Sequence, residues 1–172
     1  ALIFLGNRLG DECHNLITPL SWNEDTHFGG YSVCSTASEE VVAMASYAHS
    51  ILHRREGYAQ GEFGMCGYQN GNYWANAARS RGYSDTLPYK EVRDIILKVS
   101  HNYGSDATEW CKMHVPKDEN EWDIVALHSL CASVSTDPNV SEQLKSFAEK
   151  AAELELRVLL KCCFERAGYD CR

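Results

Sequence analysis

The chain has 172 residues, 44% apolar and 23% charged, which is the composition of one globular domain long enough to bury a substantial core. Sixteen Lys and Arg stand against 24 Asp and Glu, a net charge of −8, and the longest basic run is Arg54-Arg55. A surface that tracks phosphates needs a basic patch, so charge argues against nucleic acid and anionic membrane as partners; nor does any stretch approach the ~18 consecutive apolar residues of a membrane span.

In chain order, Ala1-Leu2-Ile3-Phe4-Leu5 is too short for a signal-peptide core, lacks a basic flank, and reads as a buried strand. The chain opens on Ala rather than Met, which implies a removed leader or a trimmed start, with both termini tied down. A helix is expected from Thr36, with Glu39 as capping-box partner, to Gly57; its apolar positions are Val41, Val42, Met44, Ala45, Ala48, Ile51 and Leu52. Residues 57–71 read as a glycine-rich loop without a phosphate-loop lysine or a Gly-x-Gly-x-x-Gly run. Its aromatic residues suit either a contact surface or an ordinary surface connection. A shorter helix follows, from about Asn72 to Arg81, stopped by Gly82. The segment from Gly71 to Tyr83 resembles a helix-turn of the CHAP family of cell-wall amidases. The glycine-flanked β segment that carries that family's general-base histidine has no counterpart downstream, and no membership is drawn from the likeness.

Pro88 opens the next helix, with Val92, Ile95, Ile96 and Val99 as its stripe, Lys90/Asp94 as an i,i+4 pair and Gly104 as its stop. Asp118 and Glu121 form a capping-box pattern before a helix to about Val134, whose two apolar faces suit a central position. The last helix is expected from Asp137-Pro138 to Gly168 along Val140, Leu144, Phe147, Ala151, Leu154 and Val158. Its end, residues 158–164, is apolar enough to be buried on most sides. The fold class is therefore mainly α: a helical domain of about five helices with an irregular N-terminal region carrying a short β segment. All seven lysines lie at or after Lys90 and ten of twelve glycines at or before Gly82. Residues 1–172 therefore read as a single domain, loop-rich over residues 1–86 and helix-rich over residues 87–172.

Eight cysteines sit at 13, 34, 66, 111, 131, 162, 163 and 171. The even count, the adjacent Cys162-Cys163 and the near-terminal Cys171 favour disulfides and a secreted or otherwise oxidising location. The apolar settings of Cys131, Cys162 and Cys163 suit buried thiols and a cytoplasmic one. Asn139-Val140-Ser141 matches the N-glycosylation pattern.

Three places carry chemistry in outline. Cys111, His114, His128 and Cys131 have a Cys-x2-His…His-x2-Cys spacing that would suit a structural zinc, although the favoured reading is core or disulfide cysteines with a hydrogen-bonded histidine. His49 and His53 lie i,i+4 with Glu56 three further on, a face that could meet a metal; the favoured reading is a polar, solvent-facing stripe continued by Arg54 and Arg55. Cys34, just before a helix start, would be the nucleophile of a cysteine hydrolase, with His101 or His114 as base and Asp106 as orienter. With no convincing catalytic set and no favoured cofactor, the leading expectation is a non-enzymatic protein-binding or assembly subunit. It would meet a protein partner or its own copy through the Gly/Tyr/Trp-rich N-terminal half. A cysteine hydrolase and a zinc-binding domain are the alternatives.

Overall fold

The computed structural model describes residues 1–21, 37–58, 67–80, 86–118 and 120–169. Among these, every regular element is helical: α1 (Leu2–Gly6), α2 (Gly10–Ser21), α3 (Glu39–Tyr58), α4 (Gly67–Ser80), α5 (Tyr89–Ser100), α6 (Gly104–His114), α7 (Ile124–Thr136) and α8 (Glu142–Arg166). A mainly α chain is thus what forms, but with seven helices of eleven residues or more, plus the five-residue α1, where about five were expected. The N-terminal apolar run is not a strand. Leu2 and Leu5 are buried and Ile3 and Phe4 exposed, the one-sided pattern of a helical turn closed by Leu5 N–H to the Ala1 carbonyl.

The chain divides into two compact units, Ala1–Leu87 and Pro88–Arg172. The boundary falls where glycine gives way to lysine in the sequence.

In the first unit α3 packs against α2 and α4, and α1 against α2. From Val42 to Arg54 every residue of α3 is buried, so this helix is enclosed all round, polar side chains included. Two of them turn back on their own helix: Ser46 Oγ donates to the Val42 carbonyl and Ser50 Oγ to that of Tyr47. Ser38 meets the first turn of α3, its hydroxyl accepting from Val41 N–H at 3.4 Å; Thr36 and Gly82 lie outside the described residues. The glycine-rich stretch is shorter than read. Residues 67–71 already belong to α4, with Gly67 and Gly71 buried, and residues 59–66 lie outside the described residues.

In the second unit α8 packs against α5, α6 and α7 around Val92, Ile96, Ile124, Leu127, Phe147, Ala151 and Leu159, all fully buried. Lys90 pairs with Asp94 at 3.7 Å as the spacing suggests. Gly104, at φ 87°, does interrupt the helix before it, but a new helix, α6, starts there. α7 begins at Asp123, whose carboxylate accepts from Val125 and Ala126 N–H. Asp118 instead closes its own short turn onto Asn120 N–H, because Trp122 must enter the core, where its Nε1–H donates to the buried Glu155 at 3.1 Å. Likewise Asp137 is spent on Asn139, and Ser141 caps α8. α8 ends in a Schellman motif: Gly168, at φ 84°, sends its N–H to Glu165, Tyr169 N–H reaches Phe164, and those two rings meet edge-on at 5.8 Å. Its last turns are half-buried rather than enclosed, with Lys161 exposed.

No described helix is long and apolar enough to cross a membrane. No disulfide joins any two of Cys13, Cys111, Cys131, Cys162 and Cys163, contrary to the disulfide expectation for these five; Cys34, Cys66 and Cys171 lie outside the described residues.

Candidate metal centre

Three histidines meet in the first unit. His14 comes from α2, and His49 and His53 from successive turns of α3; one ring nitrogen from each lies within 4.8 Å of the others. The i,i+4 spacing stacks the His49 and His53 rings at 4.7 Å, and the His14 ring stands edge-on to both, at 5.0 and 5.6 Å. On its other side His49 lies flat against the buried Trp74 of α4, with centroids 4.1 Å apart and planes 14° from parallel. The solvent-facing stripe read from the sequence is therefore an interior one: His49, His53 and Arg54 are 1%, 5% and 1% exposed. They point inward because α3 is covered by neighbours on every side, which no pattern within α3 announces.

Hydrogen bonds fix how each ring presents itself. Ser21 Oγ lies 2.8 Å from His49 Nδ1, while its proton has the Ile17 carbonyl at 3.0 Å. With its proton on the Ile17 carbonyl, the hydroxyl accepts from Nδ1–H, which leaves the lone pair on Nε2. That buried Nε2 has no hydrogen-bond partner. Thr18 repeats the arrangement one turn along α2, donating to the His14 carbonyl at 2.7 Å and standing 3.3 Å from His14 Nδ1. At His53, Nδ1 faces the Glu56 carboxylate, an obligate acceptor, and Nε2 faces the Asn70 amide nitrogen at 3.0 Å, an obligate donor. Each ring thus turns its Nδ1 toward an oxygen: Ser21 at His49, Thr18 at His14 and Glu56 at His53.

This is the outer arrangement of a metal-bound histidine, in which an oxygen holds one ring nitrogen and orients the other as ligand. At His49 and His14 burial also favours the neutral ring that a metal needs. Burial, then His53 and His14 beside it, pushes His49 down to about 2, and burial with His53 lowers His14. Both are neutral at pH 7. Three imidazole nitrogens suit zinc or a similar first-row divalent ion, whose ligand atoms at 2.0–2.1 Å stand roughly 3.3 Å from one another in a tetrahedron.

The sequence-derived sites fare differently. Cys111 and Cys131 are buried on α6 and α7, His128 is buried on α7, and His114 is exposed at the end of α6 with its ring 5.3 Å from Trp110. These four form no ligand group, because the last turn of α6 turns His114 to solvent. Burial also pushes the Cys111 thiol up, although Ser100 bonds to it. Of the hydrolase set, Cys34 lies outside the described residues, His101 and His114 are both exposed, and Asp106 accepts from Ser141 Oγ at 2.6 Å rather than orienting a ring.

His49, His53 and Glu56 were legible as a face. His14, Ser21, Thr18, Asn70 and Trp74 were not. A signal for the first three exists: residues 14, 18 and 21 fall on one side of a helix, beside the buried stripe Cys13, Ile17, Ser21. Comparison of the chain with protein-family models, curated proteins and solved structures finds no match.

Proposed function

We propose that the first unit is a divalent-metal-binding module whose ligands are the Nε2 atoms of His14, His49 and His53. The observation that carries this is a shared orientation: Ser21, Thr18 and Glu56 each face an Nδ1, and the buried Nε2 of His49 is left without a hydrogen-bond partner. A buried polar atom with no partner costs about 1–3 kcal/mol, and a bound cation removes that cost. Native mass spectrometry of the full chain with added zinc should show one ion per chain, lost in His14→Ala, whose half-buried ring is the least costly of the three to remove. Zinc retained in His14→Ala at wild-type affinity would overturn the assignment.

A second observation supports the binding or assembly reading. Ile3, Phe4, Leu9, Leu16 and Val41 are large apolar side chains left 36–54% exposed on α1, the turn after it, α2 and the start of α3. Of the aromatic residues of α4, Tyr68 and Trp74 are buried and Tyr73 is half-buried. Light scattering separates the outcomes: an assembly weakened by Leu16→Glu supports such a surface, and a strict monomer at high concentration opposes self-association through it.

A further inference from the structure

Resting on the three-histidine reading, we infer that Asn70 is a latch on that site: its amide occupies the His53 lone pair that a metal needs, so it sets how readily the site takes and releases an ion.

His53 is the one imidazole of the three whose Nε2 is given a partner, the Asn70 amide nitrogen at 3.0 Å, while His49 Nε2 has none. The polarity of that contact is fixed by chemistry. The Asn70 atom that faces Nε2 is the amide nitrogen, which can only donate, so Nε2 accepts and the ring proton lies on Nδ1, toward the Glu56 carboxylate. A lone pair cannot serve the amide and a cation together, so loading the site must break the Asn70–His53 bond. The bond also joins two elements, α4 and α3. One turn on from Asn70, Trp74 holds the His49 ring by stacking, so α4 touches two of the three ligands by unlike means: a stack that metal binding leaves intact and a hydrogen bond that it must open. His49 is thereby held ready while His53 is held closed. A site meant for permanent occupancy gains nothing from such competition, whereas one that exchanges its metal gains a lowered, adjustable affinity and a report of occupancy on α4.

The test compares zinc affinity of the full chain, by competition with a chromophoric chelator, in wild type, Asn70→Leu and Asn70→Asp. Leucine keeps the size and removes the donor; losing one neutral hydrogen bond of the unloaded state should tighten zinc binding about fivefold. Aspartate also repels the His53 lone pair and attracts the cation, and should tighten it by more than tenfold. Circular dichroism of each variant before zinc addition establishes that it is folded. Zinc bound by wild type, with both variants equal to it or weaker, would overturn the latch and leave the three-histidine site standing. No zinc bound by any of the three would overturn both. Tighter binding in both variants, with His14→Ala abolishing it, is the predicted pattern.

Discussion

At His49 three different demands meet in one side chain: a ring stacked on Trp74, an Nδ1 held by Ser21, and a bare Nε2 in the interior. Each has a measurable cost. Ser21→Ala removes the acceptor for a buried N–H and should lower stability by about 1–3 kcal/mol in urea unfolding, since no water replaces it at that depth. The pH dependence has a definite sign. Free histidine titrates near 6.5 and His49 in the fold near 2, so the unfolded chain binds the extra proton and stability contributed by the neutral ring is complete above pH 6.5 and lost as pH falls below it. The metal-free protein should lose up to about 1.4 kcal/mol per pH unit on this group's account, and His14, lowered in the same direction, adds to it. Glu56 and Asp11 oppose that trend at His14, without reversing it. Unfolding measured at pH 7.5, 6.0 and 5.0 tests this; His49→Phe, which keeps a ring against Trp74, should flatten the slope.

At the scale of the element, helices were legible where a stripe and a stop coincided and illegible where one cap competed with another. α8 was readable from Leu144, Phe147, Ala151 and Leu154 and from Gly168, because a φ of 84° demands glycine. Its start was not, since Asp137, Ser141 and Pro138 all signal a beginning and the choice depends on Asp137 being used by Asn139. α7 poses the same choice between Asp118 and Asp123. Asp123→Ala should cost about 1 kcal/mol of thermal stability and Asp118→Ala a few tenths, and the reverse order would mean that the helix starts earlier than described. α2 was not read from the sequence; Pro19 lies in its last turn, and the helix runs on to Ser21. The candidate site was half legible for a related reason. His49 and His53 share one helix and their spacing shows in sequence, but His14 and Asn70 come from other helices, and their approach is decided by tertiary packing.

At the scale of the molecule, the acidic charge and the thiols both narrow what the chain does. The net charge of −8 argues against polyanions as partners. The described cysteines bear on the redox state: with Cys13, Cys111, Cys131, Cys162 and Cys163 outside any disulfide, denaturation without reductant should expose at least five alkylatable thiols per chain by mass spectrometry. Fewer than five would restore the oxidised reading. Burial pushes the Cys13, Cys111, Cys162 and Cys163 thiols upward, so native alkylation should be slow at each near neutral pH.

The most direct test of the metal centre is a long-range proton–nitrogen NMR spectrum of the histidine side chains in the full chain, recorded without metal and then through a zinc titration. The structure predicts the Nδ1-protonated tautomer at His14, His49 and His53 before zinc, and a joint shift of their three Nε2 resonances that saturates at one equivalent. Nε2-protonated rings at the start, or three resonances that stay in place or move at different stoichiometries, would contradict a single ion shared by the three.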